Sequence, residues 1–409
     1  MKICLLSYRG EPFCGGQGVY IHYLSKGLRD LGHEVHVLSG PPHPVVVPGI
    51  QVHELDSMDM YSLPPWRVPP RPRRLLRPLN MYEFLSVITG GFPEPFTFSM
   101  RAYAQLRGRL RAERFDVIHD NQCLGYGLLL MKRLGLPVVA TIHHPVFVDR
   151  DIDIARADGW WLRTRMRRWY SFLSMQHRVA RRTDRVIVVS RNSAKDTAST
   201  FGLHKSNIRV VYNGVDSEVF KRDESVARVP DSLVVVGGAS HIKGLSYLLE
   251  AIHLLRDQRN VSLTIVGQPP LDGQFPSSLI RDYGLEGRVR FTGRVDREEL
   301  VRCYSAAEVA VVPSLYEGFG FPAAEAMSCE VPLISTRGGA LPEVAGEDGE
   351  TAMLVPPGDA GAMAAAIRRL LADEVLRRRL GEQGRKRVET HFTWREAASK
   401  TAEVYQELL

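Results

Sequence analysis

The residues best suited to chemistry lie in Ser314-Leu315-Tyr316-Glu317-Gly318-Phe319-Gly320-Phe321-Pro322-Ala323-Ala324-Glu325, which sets two carboxylates on either side of a glycine loop. The apolar run Val309–Val312 just upstream reads as a short strand, and Pro322 suits a first helical position. The spacing therefore predicts strand, loop and helix, with Glu317 in the loop and Glu325 in the first turn. Open α/β sheets bind ligands at strand carboxyl ends, where helix amino termini offer unpaired N–H groups and partial positive charge. A carboxylate placed there can accept from vicinal hydroxyls of a sugar or ribose, while backbone amides face phosphate. That combination suits a nucleotide-sugar. Two acids that merely favour a helix amino end would look the same in sequence.

Such loops need a sheet behind them, and short apolar strands alternate with amphipathic helices along nearly the whole chain. Alternation of this kind predicts α/β architecture with doubly wound parallel sheets. It starts twice. The first round opens with Lys2–Ser7, passes the glycine loop Cys14-Gly15-Gly16-Gln17-Gly18 and enters a helix with Tyr20, Tyr23, Leu24 and Leu28 on one face. Gly15 and Gly16 are candidates for close backbone approach to a phosphate, though a glycine cluster after a first strand can also be only a tight turn. Residues 41–98 break the rhythm and read as a long irregular insertion of the functional kind. Strands at 117–119, 138–143, 186–190 and 208–211 follow, with His143 and His144 at the end of one of them, where an imidazole can hydrogen-bond a reacting sugar.

Tyr212-Asn213-Gly214-Val215-Asp216 reads as a hinge, and a second round begins at Leu233–Val236. The expected domains are 1–212, completed by a final helix 393–409, and 213–392. Lys243 follows the first strand of the second round and opens a helix whose stripe Leu245, Leu248, Leu249, Ile252 and Leu255 is core. Lys243 offers a point charge to a diphosphate.

The 409 residues exceed one ordinary core, and the formal net charge of +7 comes largely from arginine clusters at 67–77, 163–168 and 178–185. Most such clusters are solvated faces, and no nucleic-acid partner is expected. Five cysteines without metal spacing argue against a disulfide framework or a zinc site, and neither signal peptide nor membrane span is visible. A cytoplasmic protein is expected, with any membrane contact peripheral, at the inner face. The segment Trp160–Tyr170, rich in tryptophan and arginine, fits either such contact with anionic lipid or a surface helix packed through its aromatics. Asp149-Arg150-Asp151-Ile152-Asp153 has the spacing of a metal-dependent transferase, but it reads as a polar loop outside the second-round site, and no metal is expected.

Taken together, the Glu317–Glu325 stretch, the Gly15-Gly16 loop, Ala140-Thr141-Ile142-His143, Asn213-Gly214-Val215-Asp216, Lys243-Gly244 and Arg337-Gly338-Gly339-Ala340-Leu341-Pro342-Glu343 resemble the retaining GT-B glycosyltransferases of family 4. The resemblance spans almost the whole chain. It implies two Rossmann-like domains facing an inter-domain cleft, a nucleotide-sugar donor held mainly by the second, and a sugar, lipid or polyol acceptor held mainly by the first. It implies no cofactor and no metal, and a last helix that crosses back to the first domain. By residue, it implies that Glu325 binds ribose and Glu317 the transferred sugar, with the backbone of Gly318, Phe319 and Gly320 around it. Lys243 would neutralise the diphosphate, Gly16 would approach it, and His143 would contact the sugar near its reacting carbon. The sequence departs from the family pattern at Gly238, where an arginine usually supplies a second phosphate contact. His241 or Arg9 is the expected substitute.

Three rival readings stand beside this one. A dinucleotide oxidoreductase would need an acid at the end of the second strand, and Leu38-Ser39-Gly40 supplies none. A nucleotide-sugar hydrolase or epimerase on the same fold, and a catalytically silent donor-binding scaffold, remain open.

Overall fold

The apolar runs form two separate sheets, each wholly parallel. In the computed structural model, which describes residues 1–10, 16–60, 62, 66, 71–109, 113–144, 146–237, 240–268 and 275–409, the chain divides into Met1–Val211 with Ala397–Leu409, and Tyr212–Glu396. The first unit holds β1 (Lys2–Ser7), β2 (Glu34–Ser39), β3 (Gln51–Glu54), β4 (Val117–Asn121), β5 (Val138–Ile142), β6 (Arg185–Val188) and β7 (Ile208–Val210). Their order across the sheet is β3-β2-β1-β4-β5-β6-β7. The second unit holds β8 (Ser232–Val236), β9 (Ser262–Val266), β10 (Val289–Phe291), β11 (Val309–Val312), β12 (Leu333–Thr336) and β13 (Met353–Val355), ordered β10-β9-β8-β11-β12-β13.

Both orders reverse direction beside their first strand, between β1 and β4 and between β8 and β11. A doubly wound sheet leaves a crevice at such a reversal, outside the strand carboxyl ends, because the flanking helices run to opposite faces. The loops after β1, β4, β8 and β11 are therefore the ones placed to meet a ligand. The central strands are buried on both faces, as parallel strands between helical layers must be; every residue of β4, β5, β11 and β12 is buried. The Leu245–Leu255 stripe lies in the second core beside Leu233, Ile265 and Val311, as its periodicity requires. The first core gathers Leu6, Ile118, Ala140 and Val188 under the helix Glu94–Arg109 through Phe98, Ala102 and Leu106.

The described residues of 41–98 are not one irregular insertion. They contain β3, the helices Pro72–Leu75 and Pro78–Ile88, and the start of Glu94–Arg109. The prolines that read as breakers sit at the first helical position of two of these helices, where a missing N–H costs nothing and the fixed φ suits the turn. Strand β3 lacks an apolar signature because Gln51-Val52-His53-Glu54 is an edge strand exposed at both ends.

The final helix, Trp394–Gln406, carries Tyr405 into the first unit, where its hydroxyl hydrogen-bonds His119 Nδ1. Glu407 beyond it pairs with Arg185 at 2.9 Å and Arg209 at 2.6 Å, beside β6 and β7.

Candidate functional site

In the second unit the β8–β11 reversal brings Lys243 and Glu317 together. Lys243 ends a one-turn 3-10 helix, His241–Lys243, and is followed by Gly244 at φ +68°. A Cβ on Gly244 would lie 1.9 Å from the Pro313 carbonyl oxygen, so only glycine lets this turn sit against the end of β11. The Leu315 N–H donates to the Ile242 carbonyl at 2.7 Å and locks the two loops in register. Lys243 Nζ then donates to Glu317 Oε1 at 2.7 Å, and Ser314 Oγ donates to the same oxygen at 2.7 Å. Lys243 is one-third exposed and Glu317 mostly buried, so the pair has a solvent side and a protein side.

The Arg337–Glu343 motif completes this loop from β12. The Ala340 N–H donates to the Glu317 carbonyl at 2.9 Å, and Gly339, at φ +61°, passes so close that a Cβ would stand 2.3 Å from that carbonyl oxygen. Thr336 Oγ1 donates to the Ser314 carbonyl. The glutamate is thus fixed by two neighbouring strand ends rather than by its own loop alone.

Glu325 lies in the helix Phe321–Ser328. The helix begins at Phe321, one residue before Pro322, which places Glu325 in the second turn and not the first. It accepts from the Tyr304 hydroxyl at 3.2 Å. Burial pushes its carboxyl up to about 7, against the opposing pull of that hydrogen bond and of Arg297. Phe319 is 4% exposed and packs its ring on Phe321 and Phe392 at 5.3 and 5.7 Å, so its side chain is core and only its backbone is available to a ligand. Gly318 and Gly320 are buried on either side of it. His241 shares the Lys243 turn, its ring 6.4 Å from Tyr247. Gly238, the position of the missing arginine, lies outside the described residues.

In the first unit His143 follows β5, next to the β4 end. Its Nε2 is 2.6 Å from Asn121 Oδ1, and its N–H donates to Gln122 Oε1 at 2.7 Å. Asn121 donates its amide nitrogen to the Gln17 carbonyl at 3.3 Å, so its oxygen faces the imidazole and His143 Nε2 carries the proton. Burial lowers the His143 pKa to about 3, which keeps the ring neutral and leaves Nδ1 as an acceptor. Tyr20 meets the ring edge-on at 4.6 Å and bonds Thr141 Oγ1 at 2.9 Å. His144 is turned elsewhere, to Asp149 at 3.0 Å. Gly16 is exposed as the first residue of the helix Gly16–Asp30, and Gly15 lies outside the described residues.

One expectation is corrected in this unit. Asp149, Asp151 and Asp153 lie not in a polar loop but in the helix Phe147–Arg156, where alternate residues diverge around the axis. They go separately to His144, Arg150 and Tyr170. Arg9 pairs with Glu94 at 2.6 Å and lies over Phe92 at 5.1 Å. The supporting residues received no role from the sequence: Ser314 and Thr141, which lie inside its motifs, and Tyr304, Asn121 and Gln122. Asn121 and Gln122 had a visible signal, two amides directly after an apolar strand.

Two doubly wound parallel units with polar groups gathered at their sheet reversals have the architecture of the GT-B class of glycosyltransferase. Comparison with known proteins agrees: residues 14–219 match the family described as Glycosyltransferase Family 4, and residues 217–387 match Glycosyl transferases group 1. The chain is 43% identical to the MMP alpha-(1->4)-mannosyltransferase of Mycolicibacterium hassiacum, covering 100% of this chain and 98% of that protein. It is 28% identical to the glycogen synthase of Mycobacterium tuberculosis over 99% of this chain and 94% of that one. Among solved structures it matches a sucrose-phosphate synthase from Thermosynechococcus elongatus with a TM-score of 0.77 and 26% identity, over 100% and 98% of the two chains. The chain belongs to glycosyltransferase family 4, and it is a glycosyltransferase.

Proposed function

We propose that the chain is a retaining, metal-independent hexosyltransferase that moves mannose from a nucleoside-diphosphate donor to an acceptor hydroxyl, forming an α-(1→4) bond. The observation that carries the site is the convergence of Lys243, Ser314 and Glu317 at the β8–β11 reversal. The sugar and linkage follow the name of the relative that is 43% identical along the whole chain. The second unit holds the donor and the first the acceptor.

In this reading the diphosphate competes for the Lys243 ammonium and frees Glu317 Oε1 to accept from a sugar hydroxyl, with Ser314 retaining its hold. Glu325 accepts from the ribose hydroxyls. The bond from the anomeric carbon to the phosphate oxygen breaks, the acceptor oxygen bonds that carbon on the same face, and the acceptor proton passes to the departing phosphate oxygen. Lys243 offsets charge gathering on that phosphate. His143, neutral and fixed through Asn121 and Gln122, presents Nδ1 as an acceptor to a sugar hydroxyl.

A thermal-shift panel of UDP-, GDP- and ADP-linked glucose and mannose tests the donor, since a specific ligand raises the melting temperature of the fold it binds. One mannosyl donor should stabilise the protein above all glucosyl ones. NMR of the product should then show an α-linkage. Stabilisation by glucosyl donors alone overturns the sugar assignment, and a β-linked product overturns retention.

A further inference from the structure

The helix Pro78–Ile88 in the first unit is turned inside out. Its buried residues are Asn80, Glu83 and Ser86, whereas Met81, Tyr82, Leu85 and Ile88 are 38–50% exposed. The inward face is fully engaged: Glu83 takes a 2.6 Å ion pair from Arg101, which also donates to Asn80 Oδ1 at 2.7 Å. A surface helix ordinarily buries its apolar stripe. One that buries its acid and turns four large apolar residues outward presents them to another surface.

The C-terminal end of the helix Trp160–Trp169 meets the C-terminal end of this one. Trp169 stacks on Phe92 at 5.1 Å, and Arg168 donates to Thr89 Oγ1 at 3.2 Å. This second helix has no buried residue, with Trp160 and Trp161 76% and 68% exposed. It carries Arg163, Arg165, Arg167 and Arg168 and no acid. Arg71 and Arg73 add charge beside exposed Leu76, while Asp56 is taken by Arg74 and Arg77.

We propose that these two helices form a docking surface for an anionic lipid bilayer, with the exposed apolar residues at the acyl boundary and the arginines on the headgroup phosphates. Charge decides the occupant. A two-fold pairing of identical chains through this face would set the same arginines against one another, whereas anionic lipid supplies both an apolar layer and the opposite charge. Such binding would be peripheral, since no helix among the described residues is long and apolar enough to cross a membrane. It is independent of which donor the enzyme uses.

The test is co-sedimentation of the full chain with vesicles of phosphatidylcholine alone and of an equal mixture with phosphatidylglycerol. Binding should appear with the mixed vesicles only and weaken with salt. It should be roughly tenfold or more weaker in Leu85→Glu with Ile88→Glu, and in Trp160→Ala with Trp161→Ala. These side chains are exposed, so melting temperatures should stay near the unsubstituted value, and either double variant suffices if the other misfolds. Absence of binding to mixed vesicles, or unchanged binding in both variants, overturns the proposal. A lipid-free dimer that dissociates in the Leu85→Glu, Ile88→Glu variant also overturns it and assigns the surface to a second copy.

Discussion

At the scale of single residues, the site is built from groups whose charge is held in check by a neighbour. Glu317 keeps Oε1 on Lys243 and Ser314, so Lys243→Ala removes half of the carboxylate's restraint and, in the proposed reading, the cation facing the diphosphate. A charge-assisted contact of this kind contributes about 1.5–3 kcal/mol, so donor-dependent kcat/KM should fall about 10- to 150-fold. Steady-state kinetics check this, and an unchanged kcat/KM would remove Lys243 from the diphosphate. Glu325 makes a second, pH-dependent case. Burial raises its carboxyl to about 7, above the unfolded value, so folding stability is fully present in acid and declines as pH rises from about 4.5 through 7. Replacement by Gln removes that decline, and at pH 8 the ligand-free variant should melt higher than the parent, by on the order of 1 kcal/mol. Ribose hydroxyls donate best to the ionised form, so donor affinity of the parent should weaken from pH 8 to pH 6 while Glu325→Gln stays weak throughout. Calorimetric titration at the two pH values separates these outcomes, and a flat parent profile would falsify the ribose assignment.

At the scale of elements, the glycines decide where the loops sit. Gly244 and Gly284 both have positive φ, but only at Gly244 does a Cβ meet backbone, the Pro313 carbonyl, whereas nothing lies within 4 Å at Gly284. Gly284→Ala should therefore cost about 1 kcal/mol of strain, and Gly244→Ala should cost more and also pull Lys243 off Glu317. Thermal melts and donor titration on both variants check the contrast; equal losses would show that the close approach of Gly244 to β11 is unimportant. The same contact marks the limit of reading the chain. Strands were legible wherever both faces are apolar, as in Val309–Val312, and β3 was not, because Gln51-Val52-His53-Glu54 has no period to detect. The two glutamates, the lysine and the strand-end histidine were legible as residue types at strand ends. Their partnerships were not: Lys243 and Glu317 are 74 positions apart, and the register that joins them rests on Gly244, Pro313 and Ile242. Glu325 was placed one position early in its helix because nothing local distinguishes a helix starting at Phe321 from one starting at Pro322.

At the scale of the whole molecule, the first unit is not one stretch of chain, for it is completed by Ala397–Leu409. The returning segment supplies a buried hydrogen bond that the sheet cannot make for itself. His119 in β4 is 1% exposed, with Nε2 on Thr141 Oγ1 at 2.6 Å and Nδ1 on the Tyr405 hydroxyl. Thr141 in turn bonds Tyr20, whose ring packs on His143, so the tail reaches the candidate site through three side chains. Burial lowers the His119 pKa to about 3, below its unfolded value. The unfolded chain therefore takes up protons first, and stability present above pH 6.5 is lost as pH falls toward 3. Tyr405→Phe leaves a buried ring nitrogen without its partner and should cost about 1–3 kcal/mol at pH 7.5. The fragment Met1–Val211 lacks this bond together with the Glu407 pairs to Arg185 and Arg209, and should melt below the full chain or fail to fold. A synthetic peptide of residues 394–409 added to the fragment should raise its melting temperature in proportion to peptide bound, and the Tyr405→Phe peptide should do so less. Equal rescue by the two peptides would show that the tail acts through packing alone and that the His119 hydrogen bond contributes nothing to the first unit.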